Sequence, residues 1–191
     1  MKVKKALKML IVSSYPPREC GLATFSNDIA NSVKKVFGET LPIEVCALQN
    51  EINNFEYGSE VTYVLSTNFI DDYRYVAEKI NKRKDIGLVC FQHEFGLYGG
   101  EYGDYLLAFL LTLNKPIITV FHTVLPEPDK KRKKVVRALV DLSNKIVVLT
   151  NKSRELLINQ YGCQISKIKV IPHGTHIVLW EQKEILKKEY P

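Results

Sequence analysis

The chain of 191 residues lacks any apolar stretch approaching the 18 or more residues that cross a bilayer. Near its start only Met9-Leu10-Ile11-Val12 runs unbroken, too short for the core of a secretory signal despite the lysines before it. No membrane span is therefore expected. Cysteine is sparse: Cys20, Cys46, Cys90 and Cys163 lie far apart, with no CxxC pair. Cys46 and Cys90 fall inside apolar runs, where a free thiol behaves as a small core residue. The expected setting is reduced and cytoplasmic. With only 10 glycines, low-complexity and collagen-like character are excluded. Several motifs are missing too. There is no GxGxxG with a ribose-binding acid, no P-loop lysine and no GxSxG, which disfavours nicotinamide enzymes and triad hydrolases. His173 and His176 are the only closely spaced histidines, on a Pro/Gly loop without nearby cysteines, so neither a metal site nor a cofactor is expected.

What is present is enough apolar material for a core: 46% hydrophobic residues against 25% charged, with 10 Tyr and 8 Phe. The length suits one larger domain or two small ones. Net charge is +6, concentrated in Lys2, Lys4, Lys5 and Lys8 and in the run Lys130–Lys134 with Arg137. That run reads first as the solvated face of a helix and second as a phosphate- or membrane-facing patch. Val135, Val136, Leu139, Val140 and Leu142 form the opposite, apolar face, which favours the first reading. No aromatic–basic interleaving points to nucleic acid.

Seven short β-rich runs alternate with helical patterns. The runs are 9–13, 43–48, 61–65, 86–92, 116–121, 145–149 and 167–171; the helices are 24–37, 71–82, 104–113, 129–142 and 153–161. Several runs, such as Ile117-Ile118-Thr119-Val120-Phe121, are apolar without alternation, as in strands covered on both faces. The expected fold is α/β, a three-layer Rossmann-like sandwich with a mostly parallel sheet and right-handed crossovers. Val12, Val45, Val89, Ile118, Val120 and Val147 should be buried. Residues 1–171 form the domain. Residues 172–191 read as a loop, Pro-His-Gly-Thr-His, then a linker with a short charged helix at 179–189.

Ligands of an open parallel sheet sit beyond the carboxyl ends of its strands. Four segments occupy that position. The first is Ser14–Gly21, where Gly21 before a helix suits a phosphate or, equally, a plain turn. The second is Gln92–Gly103, a Gly/Tyr-rich loop with His93, Glu94 and Glu101. It suits a sugar or polyol, or else is simply a loop leading into a helix. The third is His122-Thr123, whose imidazole projects toward the cleft or serves the structure. The last is Thr150–Ser153, which offers hydroxyls or merely caps a helix.

Taken together, SSYPPRECGLATFSNDIA, VCFQHEFGLYGGEYGDYL, IITVFHTVLPEP, IVVLTNKSRELL and KIKVIPHGTH resemble the N-terminal domain of group 1 (family four) retaining glycosyltransferases of the GT-B fold. The resemblance covers essentially the whole chain. One departure is Cys20-Gly21, where many relatives carry two glycines. The resemblance implies two Rossmann-like domains facing a cleft, with the donor-binding C-terminal domain absent here, so that the chain is truncated and inactive alone. It implies a nucleotide-sugar donor and a sugar-containing or small-molecule acceptor. Cys20, Gly21 and Thr150 would lie on the donor diphosphate and sugar. His122 would be the catalytic contact to the transferred sugar. Tyr15, Arg18, His93, Glu94, Tyr98, Gly99, Gly100 and Glu101 would shape the acceptor side. No protein nucleophile is implied, since the leaving phosphate can take the acceptor's proton. The alternatives are a non-catalytic glycan- or partner-binding module of the same fold and, more remotely, a sugar-nucleotide epimerase.

Overall fold

The computed structural model describes residues 6–50 and 54–174. The helix expected at 179–189 and the lysines at 2, 4 and 5 fall outside the described residues. The β-branched runs form seven strands: β1 Lys8–Ser13, β2 Ile43–Gln49, β3 Val61–Ser66, β4 Ile86–His93, β5 Ile117–Phe121, β6 Lys145–Val148 and β7 Ile168–Val170. Between them lie α1 Gly21–Phe37, α2 Ile70–Lys82, α3 Tyr105–Thr112, α4 Lys130–Leu142 and α5 Asn151–Tyr161. Local chemistry sets several helix starts. Asp129 Oδ1 accepts from the amides of Lys131 and Arg132 at 2.9 and 3.0 Å to open α4. Thr150 Oγ1 accepts from Ser153 N at 3.0 Å to open α5, which closes on Gly162 in the left-handed region. Asp71 and Asp72 in the first turn of α2, with Lys79 and Lys82 in its last, follow the helix dipole.

All strand pairs are parallel, in the order β3-β2-β1-β4-β5-β6-β7. This is the Rossmann-like order. The chain winds outward from β1 in one direction, then returns to β4 and continues in the other. A topological switch point therefore falls between β1 and β4, where the loops leaving the two strands diverge and open a crevice.

The two faces of the sheet are covered unequally. Leu10 and Val12 of β1 pack with Tyr73, Phe109, Leu139 and Leu157, which come from α2, α3, α4 and α5. On the opposite face Met9, Ile11, Cys90 and Val120 meet Ala30, Ile29 and Val33 of α1. Val12, Val45, Val89 and Val120 are buried as expected. Ile118 and Val147 are only half-buried, contrary to the expectation. Both lie on the α1 face, and among the described residues α1 is the only helix covering that face.

At the amino end of the sheet, Glu44 is nearly enclosed and accepts from Lys8, from Arg83 at 2.9 Å and from Thr62 at 3.0 Å. Arg83 also holds Asp85 through two bonds of 2.7 Å. This charged cluster pins β1, β2 and β4 at the edge opposite the crevice.

Candidate functional site

The carboxyl ends of β1, β4, β5 and β6 lie side by side, so the loops picked out in the sequence meet at one edge of the sheet. The first loop ends sooner than its sequence suggests. Gly21 is the first helical residue of α1, not a loop residue, because Cys20 caps the helix: its Sγ accepts from Ala23 N at 3.4 Å and sits 3.2 Å from Ser14 Oγ. The amides of Gly21 and Leu22 precede any possible intrahelical acceptor and point out of the helix end. No acidic side chain stands in that first turn. A Cβ built on Gly21 would meet nothing within 4 Å, so the fold itself does not require glycine here.

At the end of β5, His122 is half-buried. Its Nε2 is 2.9 Å from Gln92 Oε1, and its ring stands edge-on to Phe25 of α1 at 4.7 Å. The backbone N–H of His122 donates to His93 O at 3.0 Å, tying the ends of β5 and β4 together. Phe25 also touches His173, at 4.9 Å, so one aromatic side chain joins α1 to the segments after β5 and β7. Burial lowers the His122 pKa, opposed by Glu94 and reinforced by His173. Glu94 is fully engaged: Oε1 accepts from Phe95 N at 2.8 Å and Oε2 from Thr123 Oγ1 at 2.6 Å.

Several expected ligand groups occupy structural positions. His93 is enclosed between Phe95 and Phe121; burial pushes its pKa down to about 3, and its Nδ1 has no hydrogen-bond partner among the described residues. Tyr98 is buried and donates to Gln92 O at 2.7 Å, clamping the 92–103 loop from beneath. Tyr15 is likewise buried, donating to Asn27 at 3.0 Å. Gly99 lies so close to β3's exit that a Cβ there would stand 1.8 Å from Thr67 O. Gly100 has a φ of +82°, which favours glycine. Glu101 is exposed and paired with Lys131 of α4 at 2.9 Å. Thr150 is exposed, and its hydroxyl is engaged with Ser153. Arg18 is half-buried on the first loop, which contains a cis Pro16–Pro17 bond.

The edge thus gathers His122, Glu94, Cys20 and the α1 amides, with Arg18 on the loop that leads into α1. Reasoning from sequence placed Gln92 and Thr123 inside candidate segments without giving either a role, and it did not single out Phe25. Phe25 carried a faint signal, one helical turn after Gly21; Gln92 sits inside a strand and carried none of its own. Among the described residues, no three His, Cys, Asp or Glu side chains are grouped to hold a metal. Nor is any described helix long and apolar enough to cross a membrane.

The model of Glycosyltransferase Family 4 matches residues 69–178, more than half of the chain. No curated protein matches the sequence significantly. Among solved structures, a glycosyltransferase from Rickettsia africae is similar at 18% identity and TM-score 0.56, covering 90% of this chain and 44% of its own. HepE from Anabaena, in complex with UDP and glucose, is similar at 12% identity and TM-score 0.53, covering 88% of this chain and 45% of its own. A sucrose-phosphate synthase structure from Thermosynechococcus elongatus matches at 11% identity and TM-score 0.53, with 88% of this chain and 90% of that one covered. At these identities the likeness is one of fold. The chain spans less than half the length of the Rickettsia and Anabaena proteins.

Proposed function

The chain belongs to Glycosyltransferase Family 4, and on that premise we propose that it forms the acceptor-side half of a retaining, nucleotide-sugar-dependent glycosyltransferase of the GT-B type. Its site is completed by a donor-binding domain, on this chain's continuation or on a separate one. The observation that carries the reading is the meeting of a bare helix N-terminus with a half-buried imidazole at the switch point of the sheet. Each element has one task. The Gly21 and Leu22 amides, with the positive end of the α1 dipole, suit the donor diphosphate. His122 suits the transferred sugar, and the neutral form favoured by its burial keeps cationic charge away from a sugar carbon that itself becomes electron-poor. Arg18, Glu94 and the 92–103 loop border the acceptor side. In the transfer, the bond between the anomeric carbon and the phosphate oxygen breaks and the bond to the acceptor oxygen forms on the same face. The acceptor's proton passes to the leaving phosphate, so the step requires no protein nucleophile. The UDP and glucose bound by the Anabaena neighbour support a nucleotide-sugar donor. A cytoplasmic setting suits such a donor.

The test is sugar transfer from a panel of nucleotide sugars by the chain joined to a donor-binding domain, with the 191-residue chain alone as control. Transfer is expected only from the joined protein. His122→Ala in that protein should cost about 2–4 kcal/mol of barrier, a rate loss of roughly 10²–10³. Wild-type transfer by a folded His122→Ala protein would remove the site. Glycan binding by the joined protein with no transfer from any donor would favour a binding module instead.

A further inference from the structure

Gln92 is fully buried at the penultimate position of β4, on the same face of the sheet as Cys90 and beneath His122. Its side chain makes two polar contacts among the described residues. The amide nitrogen lies 3.8 Å from Cys90 Sγ, and the amide oxygen lies 2.9 Å from His122 Nε2. An amide oxygen only accepts, so the ring nitrogen facing it must carry the proton. Cys90 is buried, and its raised pKa keeps it a neutral thiol whose sulfur is a weak acceptor for the amide N–H. Phe25 fixes the plane of the His122 ring by its edge-on contact at 84°. The ring is therefore held at two points, and its Nδ1 has no hydrogen-bond partner among the described residues.

We propose that Gln92 is a positioning residue that holds His122 as the Nε2–H tautomer, leaving Nδ1 as a bare acceptor for a ligand hydroxyl. The proposal rests on the reading of His122 as the sugar contact and deepens it. At this point the site accepts a hydrogen bond from an O–H group and offers none to a phosphate oxygen. A ligand lacking a hydroxyl there, or carrying an ether in its place, leaves Nδ1 unpaired. The groups facing His122 agree with a neutral ring: His93 from β4 is neutral, His173 from beyond β7 disfavours a second positive charge, and Glu94 alone pulls the other way. Phe25, which α1 contributes, carries no charge.

Two-bond ¹⁵N–¹H correlation spectra of histidine-labelled 191-residue chain test this without substrate. At pH 7.5 wild-type His122 should be Nε2–H by roughly tenfold over the other tautomer. Gln92→Ala should move the ratio toward parity. Gln92→Glu should restore Nε2–H and raise the His122 pKa, because a carboxylate accepts at the same place and adds an opposite charge. Nδ1–H in the wild type overturns the proposal, as does an unchanged ratio in folded Gln92→Ala. The wild-type measurement alone decides the matter if both variants fail to fold. The two readings separate cleanly. Nε2–H in a joined protein that transfers no sugar removes only the glycosyltransferase reading; transfer by a protein with Nδ1–H removes only this one.

Discussion

At the scale of single residues, burial decides what each histidine can do. His93 and His122 lie at the ends of adjacent strands, yet one is sealed between aromatic rings and the other half-open. The sealed one makes an acid-sensitive point in the fold. Its pKa is about 3 when folded against an ordinary value of 6.5, so below pH 6.5 the unfolded chain takes up a proton that the folded chain refuses. The stability it contributes is whole above pH 6.5 and is lost as pH falls toward 3, at up to about 1.4 kcal/mol per pH unit. His122, shifted the same way, adds to the slope. Urea unfolding of His93→Phe between pH 7.5 and 5 should show a slope lower by close to one proton than wild type; equal slopes would show that His93 is protonated in the fold. Gly21 offers a second residue-scale contrast. A methyl group there meets open space within a regular helix, so Gly21→Ala should leave stability unchanged or raise it by up to about 1 kcal/mol. The same methyl group projects where a diphosphate would approach, so transfer in the joined protein should fall. A loss of stability, or unaltered transfer, would contradict the assignment.

At the scale of elements, the 92–103 loop is a packed structure, not a loose flap. Tyr98 anchors it through Gln92 O, the Tyr73 hydroxyl accepts from Gly99 N at 2.9 Å and donates to Thr67 O at 3.4 Å, and Gly99 presses on the backbone after β3. Gly99→Ala forces a methyl group against the Thr67 carbonyl, so the loop must move. The expected cost is about 1–3 kcal/mol, read as a lowered urea midpoint, with a matching rise in proteolysis within the loop. Gly96→Ala is a useful contrast, since it meets no atoms and is opposed only by its positive φ of 82°. The basic run of α4 reads at the same scale as a solvated face. Val135, Val136, Leu139 and Val140 are buried, while Lys131 pairs with Glu101 and Arg132 lies over the Tyr102 ring at 3.9 Å. Those two contacts tie α4 to the loop beside the crevice.

At the scale of the whole molecule, among the described residues one face of the sheet is covered by four helices and the other by α1. Truncation should therefore cost unequally on the two sides. Leu10→Ala, on the four-helix face, removes a wholly enclosed side chain and should cost about 2–5 kcal/mol. Ile118→Ala, on the α1 face, removes a half-exposed one and should cost about half as much, measured by the same urea midpoints. Equal costs would mean that the α1 face is covered as fully as the other.

Strand and helix identity, and with them the α/β class, were written in the chain itself. The runs around Val12, Val89 and Val120 are uniformly apolar because both sides of those strands meet other layers, and the helices between them show one apolar stripe each. Loops after β1, β4 and β5 stood out because glycine, histidine and tyrosine interrupt that regular pattern. Local spacing carries no information about distance in space, and there the tertiary structure decided. It alone brought Phe25 against His122 and His173, set Gln92 beneath the imidazole and sealed His93 and Tyr98 away from the crevice. It also showed that Thr150 is occupied in capping and that Ile118 and Val147 are only partly covered on the α1 face. Each of those outcomes follows from the strand order, which is fixed by how the helices pack across the sheet and not by any single segment.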